Sequence, residues 1–137
     1  MKYYPILDTN VLVSAMLKIG SVPGIVAAEA MCGDIIPVLN EEILAEYEDV
    51  LRRPKFKFPE RAVSVFLDDL KRRAVFIDTD MLDYDIPDPK DVVFYAVLME
   101  KRKEEEAYLV TGNLKHFPVR TYIVTPREML DILQEEK

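Results

Sequence analysis

The chain has 137 residues, half of them hydrophobic, which is the size and composition of one ordinary domain with a substantial core. No apolar run approaches the ~20 residues that a membrane span needs, and the N-terminus reaches Asp8 too early for a signal peptide. The single cysteine, Cys32, excludes an internal disulfide, and its apolar sequence neighbours predict a buried thiol in a cytoplasmic protein without membrane contact.

The net charge of −7 argues, for the chain as a whole, against a nucleic-acid partner. The charge is unevenly distributed, however, because residues 52–73 contain eight basic and three acidic side chains, a net +5 that leaves −12 for the remainder. Four of the basic residues stand close together at the start of this segment: Arg52, Arg53, Lys55 and Lys57. The segment is either a contact for phosphate groups or a solvated helical hairpin, and composition alone leaves both open.

Strands and helices alternate along the sequence. Short apolar runs predict strands at residues 3–7, 35–39, 74–78, 107–111 and 121–125. Helical periodicity and capping residues predict helices at 10–17, between Ser21 and Gly33, at 41–53, at 59–73, at 88–102 and from the capping box of 125–128 onward. The order βααβααβαββα, with no linker or repeat, predicts one α/β domain over residues 1–137 with a mainly parallel central sheet.

Asp8 separates two apolar runs in the stretch PILDTNVLVSAML, where it ends the first predicted strand. A carboxylate at this point is either a helix cap or a reactive group at the tip of a strand. In open parallel sheets, functional residues collect beyond the carboxyl ends of the strands, and Asn113 follows the strand 107–111 in a similar way. This placement is the first indication that Asp8 is more than a cap.

Three further carboxylates have both a structural and a functional interpretation. Glu46 lies at the border of the apolar stripe of helix 41–53, where it either extends to solvent or holds a cation. Asp88 and Asp91, in the stretch DPKD, suit the N-cap and third position of helix 88–102 for capping reasons alone. Because that helix is apolar all round over its first turns, we expect its N-terminus to be buried, where both carboxylates can help to form an acidic pocket.

The combination of Asp8, Glu46, Asp88 or Asp91, and Asn113 suits a divalent cation. Crowded carboxylates repel one another unless a cation neutralises them, and hard oxygen ligands suit Mg²⁺ or Mn²⁺. Such an ion can activate water for phosphodiester cleavage. The chain has one histidine and no plausible Ser/His/Asp set, which disfavours acyl transfer, and it contains neither GxxxxGK[ST] nor GxGxxG.

Five motifs in order make the chain resemble a PIN domain, in particular the small toxin-like branch related to VapC ribonucleases: LDTNVLVSAML, LNEEILAEYEDVLRRPKF, DPKDVVFYAV, YLVTGNLKHF and IVTPREMLDIL. The resemblance implies a three-layer α/β/α sandwich and a Mg²⁺- or Mn²⁺-dependent endoribonuclease that acts on RNA. It also implies a homodimer and a small antitoxin partner.

The resemblance further implies a set of site residues. The implied catalytic residues are Asp8, Glu46, Asp91 and Asn113. The implied metal ligands are Asp8, Glu46 and Asp91, with Asp88 as an auxiliary ligand and Glu42 as a weaker match than Glu46. The residues expected to contact the RNA backbone are Arg52, Arg53, Lys55 and Lys57.

One departure from the family pattern keeps alternatives open. Many relatives have an aspartate three residues after the Asn113 position, where this chain has His116. His116 either hydrogen-bonds a metal-bound water or a phosphate, or has no role, and loss of the carboxylate is expected to weaken any second metal site. A catalytically impaired PIN-like module that binds RNA or a protein is the alternative function. A haloacid-dehalogenase-type phosphohydrolase also begins with a strand ending in Asp, but it needs a second aspartate where this chain has Asn10.

Overall fold

Five short strands and six α-helices alternate along the computed structural model, which describes residues 3–33, 35–79 and 86–135. The strands are β1 Tyr4–Leu7, β2 Val38–Leu39, β3 Val75–Phe76, β4 Ala107–Val110 and β5 Ile123–Val124. The helices are α1 Thr9–Leu17, α2 Val22–Cys32, α3 Glu41–Leu51, α4 Glu60–Arg73, α5 Val92–Arg102 and α6 Pro126–Glu135. The predicted order of strands and helices is confirmed.

All strand pairs in the described residues are parallel, as the order of elements predicted. One sheet has the strand order β1-β4-β5, with Leu7 opposite Val110 and Val110 opposite Val124. β2 and β3 form a second pair, and a parallel bridge between Tyr3 and Ile35 joins it to the first sheet just before β1. Because parallel strands run in one direction, the carboxyl ends of β1, β4 and β5 lie at one edge, where the residues that follow them can meet.

Helices cover the strands and complete the predicted α/β sandwich. α5 contacts β1, β2 and β4, and its buried side chains run without a break from Val93 to Leu98. α1 contacts α2 and α3, and α2 also contacts α4 and α6. The N-terminal half of α5 is therefore buried on nearly all sides, which agrees with the apolar first turns in its sequence.

All five predicted strands are shorter in the structure, two of them by one residue and three by three residues. The strand predicted at 35–39 contains only β2, because Ile35 pairs with Tyr3 through an isolated bridge whereas Val38 and Leu39 pair with β3. The strands predicted at 74–78 and 121–125 reduce to β3 and β5, since only two residues of each pair with a neighbouring strand.

Two predicted helices differ from the observed helices by more than one residue at an end. The helix predicted at 88–102 begins as a 3-10 turn over Pro89–Asp91, because the carboxylate of Asp88 accepts a hydrogen bond from the N–H of Lys90 (3.0 Å) and tightens the chain there. The helix predicted at 41–53 ends at Leu51, since the residue before Pro54 is disfavoured in helical conformation.

The exposed face of α2 corrects one prediction. Cys32 is exposed, so the expectation of a buried thiol is wrong. It shares an outward stripe with Ile25 and Ala28 at helical spacing, while Val26 and Ala30 face the core. Among the described residues no single helix is long and apolar enough to cross a membrane; α1 and the part of α2 up to Ala30 reach that length and composition only together, with a bend of 107° between them.

Tyr47 ties α3 to the end of β1. Its hydroxyl donates a hydrogen bond to the carbonyl of Leu7 (2.5 Å), and its ring is buried with its centroid 6.4 Å from that of Phe94 on α5. Burial, and then the negative charges of Asp8 and Glu46, raise the pKa of Tyr47 well above its usual value. The hydroxyl therefore stays protonated and keeps its role as a donor at the end of β1.

Tyr47→Phe is expected to lower the free energy of unfolding by about 1 to 2 kcal/mol, because a buried carbonyl loses its donor while the ring is retained. Chemical denaturation followed by circular dichroism measures the change. Tyr4→Phe is the matched control, since the ring that Lys101 contacts (4.5 Å) is kept in that variant. Losses of equal size in the two variants would contradict the role assigned to the Tyr47 hydroxyl.

Candidate functional site

Asp8 is held at the carboxyl end of β1 by the end of β4. Its backbone N–H donates to the carbonyl of Val110 (2.9 Å), which extends the β1–β4 pairing by one residue. Its carboxylate is only 7% exposed and accepts a hydrogen bond from the hydroxyl of Thr111 (2.7 Å), which is fully buried. Asp8 occupies the N-cap position of α1, yet its side chain makes no capping hydrogen bond. The carboxylate therefore faces the end of β4 instead of capping its own helix.

Glu46 reaches the same region from α3. The hydroxyl of Thr9, the first residue of α1, donates a short hydrogen bond to a carboxylate oxygen of Glu46. Thr9 directly follows Asp8 and is itself buried. Glu46 is half-buried, as its place at the border of the apolar stripe predicted. Thr111, directly after β4, thus fixes the carboxylate of Asp8, and Thr9, at the start of α1, fixes that of Glu46.

Asp91 completes the group from the start of α5. Its side chain is 16% exposed, and its buried Oδ2 has no hydrogen-bond partner among the described residues. The pKa of Asp91 is raised to about 6, first by burial, then by the charges of Asp8 and Asp88 and, more weakly, of Glu46. His116 acts in the opposite direction, with its Nδ1 3.4 Å from Oδ2, close enough for an ion pair but without hydrogen-bond geometry. The carboxylates of β1, α3 and α5 therefore repel one another in a shared region.

The remaining predicted residues have different positions. Asn113 begins the turn after β4, and its N–H donates to the Thr111 hydroxyl (3.0 Å), so Thr111 connects this loop with Asp8. Asp88 is exposed and its carboxylate accepts from the Lys90 N–H, as expected of an N-cap. Glu42 is exposed one turn before Glu46 on α3. The structure thus brings Asp8, Glu46 and Asp91 together, with Asp88, Asn113 and His116 at their border.

Two residues of this region, Thr9 and Thr111, were not predicted from the sequence. Each stands beside a predicted site residue, Thr9 after Asp8 in LDTN and Thr111 before Asn113 in VTGN. Thr111 was predicted only as the last residue of the strand 107–111, and Thr9 fell between the predicted strand 3–7 and the predicted helix 10–17. Both threonines stand near an acidic or amide residue at the end of a strand. This position could have indicated a hydrogen bond within the site, because a buried threonine hydroxyl needs a partner.

The basic residues lie outside the acidic group. Arg52 pairs with Glu60 (3.0 Å) and Arg53 with Asp49 (3.1 Å), both at exposed positions. No hydrogen bond or ion pair in the described part of the chain joins Arg52, Arg53, Lys55 or Lys57 to Asp8, Glu46 or Asp91. Arg52 follows Glu46 by six residues, which is about 9 Å along a helix axis.

The donor set fits a hard divalent cation in its chemistry. Carboxylate oxygens are the ligands that Mg²⁺ and Mn²⁺ prefer, and the buried Oδ2 of Asp91 is an acceptor without a hydrogen-bond partner among the described residues. As arranged, however, no three His, Cys, Asp or Glu side chains within residues 3–33, 35–79 and 86–135 are grouped closely enough to hold an ion.

A family model described as the PIN domain matches residues 5–115 of the chain. The chain belongs to the PIN domain family. The comparison with curated proteins and the comparison with solved structures gave no match. The matched range contains every predicted acidic residue and ends one residue before His116. The predicted PIN resemblance is confirmed, and the haloacid-dehalogenase alternative loses its basis.

PIN-family membership assigns a coarse function. PIN domains are generally nucleases, so the family supports a hydrolase that acts on nucleic acids. In this PIN domain the carboxylates of Asp8, Glu46 and Asp91 occupy the edge of the sheet where ligands bind in open parallel folds. The acidic group is therefore the candidate active site.

Thr111→Val is expected to destabilise the PIN domain by about 2 kcal/mol, because the buried carboxylate of Asp8 and the N–H of Asn113 each lose a partner while the side-chain volume is kept. Urea denaturation of the purified variant measures the loss. Thr121→Val, at an exposed threonine, is the control and should change the free energy of unfolding by less than about 0.5 kcal/mol. A Thr111→Val protein as stable as the wild type would show that this hydroxyl does not support the site.

The raised pKa of Asp91 predicts a pH-dependent stability. Between the ordinary value of 3.8 and about 6, the folded protein holds a proton on Asp91 that the unfolded chain has lost. The free energy of unfolding therefore falls as pH rises from 3.8 to about 6. Asp91 adds no further pH dependence above this window. Without metal, Asp91→Asn should be more stable than the wild type at pH 7, by about 1 to 3 kcal/mol, and should lose this advantage towards pH 4.

Urea denaturation in EDTA from pH 4 to pH 8 tests the Asp91 prediction. The control is Asp131→Asn, which removes an exposed carboxylate from α6 and should shift stability little and equally at each pH. If Asp91→Asn and the wild type kept a constant difference over the whole range, the carboxyl of Asp91 would not be perturbed as described.

Proposed function

We propose that this PIN domain is a metal-dependent endoribonuclease that hydrolyses phosphodiester bonds in RNA. The observation that supports the proposal most directly is the convergence of three carboxylates from separate elements: Thr111 holds Asp8, Thr9 beside Asp8 holds Glu46, and the buried Oδ2 of the neighbouring Asp91 has no hydrogen-bond partner among the described residues. A fold gains no stability from placing like charges together, so such a group is more typical of a functional site than of a structural one. The family supports the nuclease class, and RNA and metal dependence are parts of the proposal.

The proposed metal ligands are Asp8, Glu46 and Asp91, with Asp88 as an auxiliary ligand. A bound Mg²⁺ or Mn²⁺ supplies a Lewis acid for the phosphate oxygens. The chain's own contribution is to hold the ligands: Thr111 orients the Asp8 carboxylate and Thr9 orients that of Glu46. Asn113 is proposed to contact the substrate, because its side chain makes no capping bond at the turn that it begins.

The proposed RNA-backbone contacts are Arg52, Arg53, Lys55 and Lys57. The ion pairs of Arg52 and Arg53 are exposed, and exposed pairs contribute little stability, so phosphate groups can replace Glu60 and Asp49 as partners. Contacts of this kind raise affinity without selecting a sequence. RNA binding should therefore weaken as salt concentration rises.

We also propose that the protein belongs to the VapC-like branch, as the toxin of a toxin-antitoxin system in the cytoplasm. The five motifs and their order support the branch assignment. A small antitoxin and a homodimer are then the expected partners. The single cysteine of the chain is compatible with a reducing compartment.

Cleavage of a mixed RNA by the purified protein tests the proposed activity. Activity is expected with Mn²⁺ or Mg²⁺ and should disappear in EDTA, because the carboxylates alone cannot offset the charge on the phosphate. Asp8→Asn and Glu46→Gln should each reduce the cleavage rate at least about 100-fold in Mn²⁺, since each removes a proposed ligand. Glu41→Gln removes an exposed carboxylate from the first turn of the same helix and should retain wild-type activity.

A catalytically impaired RNA-binding PIN module is the second candidate. Two observations favour it: His116 stands beside Asp91 where many relatives have a carboxylate, and the described side chains do not form a closed metal site. RNA binding without cleavage in Mn²⁺ would support this candidate. Equal cleavage by the wild type, Asp8→Asn and Glu46→Gln would point to a contaminating nuclease and contradict the enzyme assignment.

A further inference from the structure

A cavity of about 320 Å³ adjoins the acidic group on one side. Its lining consists of Glu42, Glu46, Pro89, Lys90 and Val93. Glu46 belongs to both the cavity and the candidate active site, so a group bound in the cavity would lie next to the proposed cleavage point. The volume falls within the range of pockets that bind small organic groups, which begins at roughly 300 Å³.

The cavity lining combines three kinds of surface. Pro89 and Val93 are apolar, Glu42 and Glu46 offer hydrogen-bond acceptors, and Lys90 offers a positive charge. A ribonucleotide presents the same three kinds of group: the flat face of a base, hydroxyl and amino donors, and a phosphate. A cavity that held only a metal ion would need neither the apolar surface nor the lysine.

Lys90 is available for a ligand. Its side chain is exposed, and no ion pair joins its ammonium group to a carboxylate in the part of the chain that the structure describes. The hydrogen bond between the Lys90 N–H and Asp88 fixes the backbone of the turn, so the side chain extends from a defined point. Within the described residues, the ammonium group therefore has no carboxylate partner beside an otherwise acidic edge.

We propose that this cavity binds the RNA nucleotide next to the cleaved phosphate, with Lys90 contacting a phosphate group of that nucleotide. The inference rests on the proposed ribonuclease function. It adds Lys90 as a substrate-binding residue outside the basic segment 52–73. The base lies against Pro89 and Val93, and the Glu42 carboxylate accepts from a base amino group or the ribose 2′-hydroxyl.

Fluorescence anisotropy with a labelled single-stranded ten-nucleotide RNA tests the proposal in EDTA, where binding is measured without cleavage. Lys90→Ala should weaken binding roughly fivefold and reduce the slope of log affinity against log salt by about 0.7, the value for one single-strand phosphate contact. Lys90→Arg, which keeps the charge, should retain most of the affinity. Lys18→Ala is the control, because Lys18 is exposed at the far end of α1 and its loss changes the net charge equally.

Steady-state cleavage in Mn²⁺ separates the possible outcomes. The proposal predicts that Lys90→Ala raises KM several-fold with little change in kcat, since the lysine binds substrate and does not take part in bond cleavage. If the wild type cleaves RNA while Lys90→Ala and Lys18→Ala bind and cleave alike, the subsite is wrong and the ribonuclease proposal stands. If the wild type neither binds nor cleaves RNA, both proposals fail. If Lys90→Ala binds Mn²⁺ more tightly but binds RNA as before, the lysine serves only to offset the negative charge of the carboxylates. The proposed nucleotide subsite is then wrong.

Discussion

The hydrogen bond from Thr111 to Asp8 is the contact on which the candidate site depends. The register of β1 and β4 places Leu7 opposite Val110, so Asp8 and Thr111 leave the sheet side by side and bond at 2.7 Å. The same hydroxyl accepts the N–H of Asn113. One buried group therefore fixes both the first carboxylate and the loop after β4. A shift of one residue in the strand register would separate them, which explains why a two-strand pairing of only four residues matters for the chemistry.

Repulsion between carboxylates is the second constraint. Asp8 and Glu46 each accept a hydrogen bond from a threonine, which replaces part of the water that burial removes. Asp91 has no such donor at its buried Oδ2 among the described residues, and burial together with the charges of Asp8 and Asp88 raises its pKa. This pattern is expected where the positions of side chains are set by ligand binding and the stability of the protein without its ligand matters less.

The sequence predicted most of the fold because its signals are local. Apolar runs, caps and turn residues gave the order of elements, and the geometry of parallel strands placed Asp8 and Asn113 at one edge. Thr9 and Thr111 could not be predicted in the same way. The bond between Thr111 and Asp8 joins positions 103 apart, and nothing in the neighbouring sequence distinguishes a threonine that ends a strand from one that also holds a carboxylate. Strand lengths were overestimated for a related reason, because pairing depends on the neighbouring strand, as at β2 and β3.

An acidic protein can bind RNA if its positive charges lie where the phosphates pass. At physiological ionic strength charges are screened over about 8 Å, so the net charge of −7 matters less than the few groups near the substrate. Close to the proposed cleavage point those groups are mainly carboxylates, which attract a metal ion but repel phosphate. A single lysine at the cavity, with the more distant Arg52 and Arg53, would then decide the path of the strand. The acidic composition would then limit nonspecific binding of nucleic acid, and the nearby lysine and arginine side chains would supply the affinity for RNA that cleavage needs.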